Sequence, residues 1–199
     1  PLRSSAASDV YKRQIVDCGV HYLDVMCQIT QSKPLSVSAI GVRLSDEIPT
    51  DNYNYGQLQI RFEDGSVGWY EAGWGPMISE TAFFVKDVIG PNGSVSIVSD
   101  DDTFIKDSDN LENHTKNNCL KIHSSKLDSD HNFISPNKKI VYDEDPSHQD
   151  LCDYEQEYFY KSICENIDLK SHMEDAYKSL QIALACDEAV KKSKTVFLD

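Results

Sequence analysis

The order of elements along this chain predicts an α+β fold. An amphipathic helix comes first, a run of short strands punctuated by turn signals follows, and two helices close the sequence. Glu63-Asp64-Gly65 and Gly90-Pro91-Asn92-Gly93 are the clearest of the turn signals.

The first helix is predicted over residues 16–30, ending before the breaker Ser32-Lys33-Pro34. Within it Asp17, His21, Asp24 and Gln28 recur at i, i+4, i+7 and i+11. At about 100° per residue they fall on one stripe. Val16, Val20, Leu23 and Cys27 form a neighbouring apolar stripe, so the helix can bury one side and offer the other. A carboxylate one turn before an imidazole can orient the ring and favour its protonated form, which suits proton transfer near neutral pH. The plain alternative is a polar helix face carrying an ordinary i,i+4 pair.

Strands follow at 37–44, 55–62 and 66–72, the last two flanking the Asp64-Gly65 turn in a hairpin pattern. Further strands are expected at 82–89 and 94–98 around the Gly90–Gly93 turn, with short ones at 119–123 and 139–142. Between Ser99 and Pro146 the sequence is acidic and turn-rich. Its Asp clusters lack the twelve-residue loop and closing Glu of a calcium site, so they read as solvated turns. His114, His123 and His131 have no ligand spacing, and no metal site is assigned.

Ser147-His148-Gln149-Asp150 gives a cap-like start to the next helix, with Leu151, Tyr154, Tyr158, Phe159 and Ile163 as its apolar side. Ser171-His172-Met173-Glu174 reads as a capping box for the last helix, which is expected to turn Ala176, Leu180, Ala183, Leu184 and Val190 inward. Lys191 and Lys192 suit its last turn.

Composition bounds the function. The 199 residues are 40% hydrophobic and 10% aromatic, enough for a sizeable core. No apolar run approaches the ~20 residues of a membrane span. A net charge of −14 disfavours nucleic acid and anionic membrane surfaces as partners. The six cysteines form no C-x-x-C pair and read as reduced thiols of a cytoplasmic protein. Residues 1–14, PLRSSAASDVYKRQ, are small and basic in an otherwise acidic chain. They lack the apolar run of a signal peptide. They resemble translated adaptor or cloning sequence, with an authentic disordered arm as the competing reading. The domain proper is expected over 15–199.

Four motifs stand in order. They are Asp17-Cys18-Gly19-Val20-His21-Tyr22-Leu23-Asp24; Trp69-Tyr70-Glu71-Ala72-Gly73-Trp74-Gly75-Pro76; Gly90-Pro91-Asn92-Gly93-Ser94; and, near the end, Glu174-Asp175-Ala176 with Ser179-Leu180-Gln181-Ile182-Ala183 and Ala185-Cys186-Asp187-Glu188-Ala189. Together they resemble the C-terminal domain of the Gfo/Idh/MocA family of nicotinamide-dependent oxidoreductases. The resemblance implies one large, mostly antiparallel sheet with helices on one face, the other face or its edge serving subunit contacts. The family's other half is a Rossmann domain with a Gly-rich turn and a Glu-Lys-Pro-like motif carrying a catalytic lysine. Neither pattern occurs here, so the chain reads as the substrate-side domain alone, inactive by itself.

Oxidising a secondary alcohol removes a hydride from carbon and a proton from oxygen. His21 is the candidate base, and Asp17 would hold the ring or a substrate hydroxyl. Asp24 is a candidate for a substrate hydroxyl or for a structural role at the domain junction. Trp69, Glu71 and Trp74 are substrate-binding candidates, because sugar C–H faces pack on aromatic rings and hydroxyls bind polar edges. Alternation puts Trp69 and Glu71 on one sheet face and Tyr70 on the other. The cofactor implied is NAD or NADP, held mainly by the other half. The expected partners are a sugar-, cyclitol- or polyol-like substrate and further copies of the chain, as a dimer or higher homo-oligomer. Two alternatives share these motifs: an NAD-dependent glycosidase of the same broad family, and a non-catalytic binding or oligomerisation module.

Overall fold

A computed structural model describes residues 15–46, 48–73, 86–98, 119–142 and 146–198, except for the side chains of Asp17, Cys18 and Lys86. Residues 1–14, Trp74 and, in the acidic stretch, residues 99–118 and 143–145 lie outside the described residues, as does the first half of the strand expected at 82–89. The chain divides into two compact units, Pro1–Ile78 with Asp168–Asp199, and Ser79–Ile167.

The first unit opens with a π-helical turn, Ile15–Gly19, that runs into α1, Val20–Thr30. Strands β1 (Pro34–Val42), β2 (Tyr55–Phe62) and β3 (Val67–Gly73) follow. The last helix of the chain, Lys170–Lys192, and the closing strand, Val196–Phe197, complete the unit. The second unit holds β4 (Lys86–Gly90), β5 (Gly93–Ile97), β6 (Cys119–Ser124), β7 (Lys138–Val141) and the helix α2, His148–Glu165. The last helix is α3 and the closing strand β8. The described strands form two four-stranded antiparallel sheets, ordered β3-β2-β1-β8 and β4-β5-β6-β7.

Alternation sorts the first sheet into two faces. Val37, Leu58, Ile60 and Phe62 are buried beneath the helices, with Ile15, Leu23, Cys27, Ile182, Ala183 and Cys186 closing the core. Fully burying each large apolar side chain contributes about 1.5–3 kcal/mol. The hairpin at Asp64-Gly65 forms as the sequence predicts. Its loop closes with Phe62 N–H donating to the Ser66 carbonyl, Gly65 at φ +88°, and the Asp64 carboxylate accepting from Ser66 N–H and Oγ–H. A positive φ is where glycine costs least.

Three expectations change. The first helix is not regular over 16–30, because its first turn is π-helical. A π turn holds more residues than the 3.6 of an α-helix, so the 100° spacing does not apply before Val20. The capping box at Ser171 does not form, since α3 already starts at Lys170. Asp168 Oδ1 accepts the Lys170 N–H at 2.9 Å and starts the helix earlier, leaving Ser171 inside it. The buried residues of α3 are Ser179, Ile182, Ala183, Ala185, Cys186, Asp187 and Ala189, so Ala183 turns inward as expected while Ala176, Leu180 and Leu184 are exposed. Small residues on that face let α3 approach β1 and α1 closely, and apolar size was the misleading signal.

In the second unit the Gly90–Gly93 turn joins β4 to β5 as expected. Ser147 and Asp150 form a full capping box on α2: Asp150 N–H donates to Ser147 Oγ, and Ser147 N–H donates to the Asp150 carboxylate. Leu151, Tyr154, Tyr158, Phe159 and Ile163 are all exposed, and Ser162 is the buried residue of α2. Among the described residues no helix is long and apolar enough to cross a membrane.

Candidate functional site

Sequence reasoning centres the site on α1. His21 lies in its first turn, exposed, its imidazole making no hydrogen bond with another described residue. Gly19 precedes the helix, and a Cβ there would come 3.3 Å from Tyr70 Cε1. The Tyr70 ring stacks on Tyr22, with centroids 4.8 Å apart. One turn on, Met26 lies over Gly68 of β3, where an added Cβ would stand 2.6 Å from its sulfur. These contacts seat α1 on the Gly68/Tyr70 face of the sheet.

Asp24, half-buried, is held from α3. Ser179 Oγ stands 3.0 Å from its Oδ1. Cys27, one turn beyond, is buried, and burial pushes its thiol up, with Lys178 opposing and Asp24 and Asp175 adding to the rise. That thiol is a packing group, because nucleophilic cysteines need a lowered pKa.

Asp17 lies in the π-helical turn, and its side chain is outside the described residues. Trp74 is outside them too. Trp69 and Glu71 project from the sheet face opposite α1, in rows Ser38–Gln59–Trp69 and Ile40–Gln57–Glu71. The structure therefore brings His21 and Asp24 together on one helix and leaves Trp69 and Glu71 on the other side of the sheet. Tyr55 Oη–H donates to Glu71 Oε1 at 2.6 Å on that outer face, and this bond is the main cause of a raised Tyr55 phenol pKa. A shallow groove of about 360 Å³ runs along the same face between Ser36, Ser38, Gln59, Arg61, Val67, Thr195 and Phe197.

Sequence reasoning missed Tyr22 and Ser179, and it groups Tyr70 with Trp69, Glu71 and Trp74 as a ligand candidate, whereas Tyr70 packs against α1. Alternation already separated Tyr70 from Trp69, so its place on the helix side was legible. Nothing local marks Ser179, whose partner lies 155 positions away.

A family model described as the oxidoreductase family, C-terminal alpha/beta domain, of Gfo/Idh/MocA type, matches residues 14–198. The chain belongs to the Gfo/Idh/MocA family. A search of curated proteins found no match. Solved structures share the domain's fold at low identity. The aldose-aldose oxidoreductase of Caulobacter crescentus, complexed with glycerol, aligns with TM-score 0.63 at 16% identity over 90% of this chain and 46% of that one. A levoglucosan dehydrogenase in complex with NADH and levoglucosan aligns at 0.64 and 17%, over 92% and 49%. An oxidoreductase from Agrobacterium radiobacter with NAD+, L-tartaric acid and magnesium aligns at 0.62 and 13%, over 92% and 48%. The domain thus spans about half the length of each of these proteins.

The domain's sequence has no Gly-rich strand-to-helix turn of the kind that receives a dinucleotide pyrophosphate.

Proposed function

We propose that this domain is the substrate-side half of an NAD- or NADP-dependent dehydrogenase acting on a sugar, cyclitol or related polyol. The observation that carries the reading is the exposed imidazole of His21, on a family-typical helix seated on the sheet by Tyr22 and Met26. The nicotinamide supplies the hydride chemistry when bound. This chain's part is to hold the substrate hydroxyl and accept its proton on the His21 ring, with Asp17 in the preceding turn as the candidate partner. Two of the structures sharing the fold are named for an aldose and for levoglucosan, which supports a sugar-like substrate.

The same reading includes self-association. Ile40, Val67, Trp69 and Phe197 are all exposed on the outer face of the first sheet, Trp69 by 51% and Phe197 by 79%. A second copy of the chain is the proposed cover, most simply through a twofold axis. Trp69 and Glu71 then serve subunit contact.

The test is His21→Ala in the full-length enzyme. We expect kcat to fall by about 10² to 10⁴, the usual range for a lost general base, with NAD binding nearly intact. A kcat within a factor of about three of the parent leaves His21 as part of a polar helix face. The 199 residues alone are expected to show no turnover with any sugar and NAD(P).

A further inference from the structure

Ser179 sits in the middle of α3, and its hydroxyl faces two acceptors: Asp24 Oδ1 of α1 at 3.0 Å, and the Asp175 carbonyl of its own helix at 2.9 Å. Mid-helix serines ordinarily return their hydroxyl to the carbonyl four residues back. Ser179 is only 2% exposed, so a competing acceptor from another helix meets little competition from water. We propose that Ser179 and Asp24 form a positioning pair that sets the angle at which α1 presents His21. Asp24 is then a fastening residue and not a substrate ligand. The inference rests on the reading of His21 as the proton-accepting residue.

The geometry of α1 supplies the argument. At about 100° per residue, Tyr22 lies about 100° to one side of His21 around the helix and Asp24 about 60° to the other. Tyr22 is tethered to Tyr70 of β3, and Asp24 to Ser179 of α3. His21 thus lies between two restraints that oppose rolling in opposite senses. Side-chain tips stand about 5–6 Å from a helix axis. A roll of about 10° therefore moves the imidazole by about 1 Å, a displacement able to cost about 10²-fold in rate at a reacting centre. The partner to the hydroxyl needs an acceptor oxygen and does not need a charge.

The test uses the chain itself, with labelled histidine, and reads the His21 ring resonance at about pH 9, where imidazoles are neutral. Amide exchange along α1 is read in parallel. Ser179→Ala and Asp24→Ala should each shift the His21 resonance and speed α1 exchange about tenfold, as expected for one lost hydrogen bond. Asp24→Asn keeps an acceptor oxygen and should restore both readouts. General loosening of the core would instead speed exchange in α3 and β1 alongside α1, without rescue by Asn. Asp24 is half-exposed, so its variants decide the matter even where Ser179→Ala lowers stability. An unmoved His21 resonance in both Ala variants overturns the proposal, and so does Asp24→Asn behaving as Asp24→Ala. The measurement needs no turnover, so failure of the dehydrogenase reading registers separately, in the His21→Ala kinetics.

Discussion

Tyr22 and Tyr70 stack with ring centroids 4.8 Å apart and planes at 29°, joining the first turn of α1 to the centre of β3. Tyr70 also packs over Gly19, and it is the inward neighbour of an outward Trp69. One aromatic ring thus ties the entry of the helix to the sheet. Tyr70→Leu keeps an apolar side chain and removes the stack. We expect it to lower stability by about 0.5–1.5 kcal/mol, the usual worth of an aromatic pair beyond burial. Urea denaturation should show the midpoint falling with an unchanged slope.

Gly41 and Gly65 offer a contrast. A Cβ on Gly41 would stand 2.7 Å from both Tyr53 Cγ and Val190 Cγ1, between the sheet and α3. Gly41→Ala should cost about 1–3 kcal/mol through overpacking. Gly65 has open space around it and φ +88°. Gly65→Ala should cost only the left-handed backbone penalty of about 1–2 kcal/mol and leave the core spectra unchanged. Near-UV spectra that change more in the Gly65 variant would contradict this.

Thiol reactivity should follow burial. Burial pushes the Cys186 thiol up to about 12, with Asp187 adding to the rise, and it pushes Cys27 up as well. Cys164 is exposed on α2. At about pH 8, below the ordinary thiol value, a disulfide reagent should label Cys164 first and reach Cys27 and Cys186 only on unfolding. Labelling of Cys186 in the native chain at the Cys164 rate would contradict the buried placement.

The cap of α2 should titrate. The Ser147 hydroxyl, and then its N–H, hold the Asp150 carboxyl below its ordinary 3.8. A folded-state value depressed below the unfolded one means that the stabilisation is present above 3.8 and is lost as pH falls through the depressed value. Amide exchange at the start of α2 should therefore quicken as pH falls through the acid range, after correction for intrinsic rates. Asp150→Asn should lack that step. An identical pH profile in the two proteins would assign the change to another group.

Self-association should respond to salt and to the outer sheet face. With a net charge of −14, repulsion opposes pairing at low salt, and added salt should strengthen it. Analytical ultracentrifugation across a salt series reads this directly. Trp69→Lys should shift the chain toward monomer without disturbing the inward face. A monomer in both salts at tens of micromolar, about the range of a weak interface, would show that this face needs no second copy.

The sequence by itself determined the α+β class, the hairpin at Asp64-Gly65, the turn at Gly90–Gly93 and the family, because these depend on local turn chemistry, side-chain alternation and motif order. It also placed Trp69 and Tyr70 on opposite faces, a consequence of the two-residue period of a strand. Only the tertiary structure decided that the turn before α1 is π-helical. The buried face of α3 was legible only in part: Ala183 turns inward as the sequence suggests, but Ser179, Cys186 and Ala189 are buried where Leu180 and Leu184 are not, because small residues let neighbouring elements come close. The bond from Ser179 to Asp24 shows the limit most clearly. Its strength depends on the burial of a hydroxyl beside a carboxylate 155 positions away, and that proximity exists only once both helices have packed on the sheet.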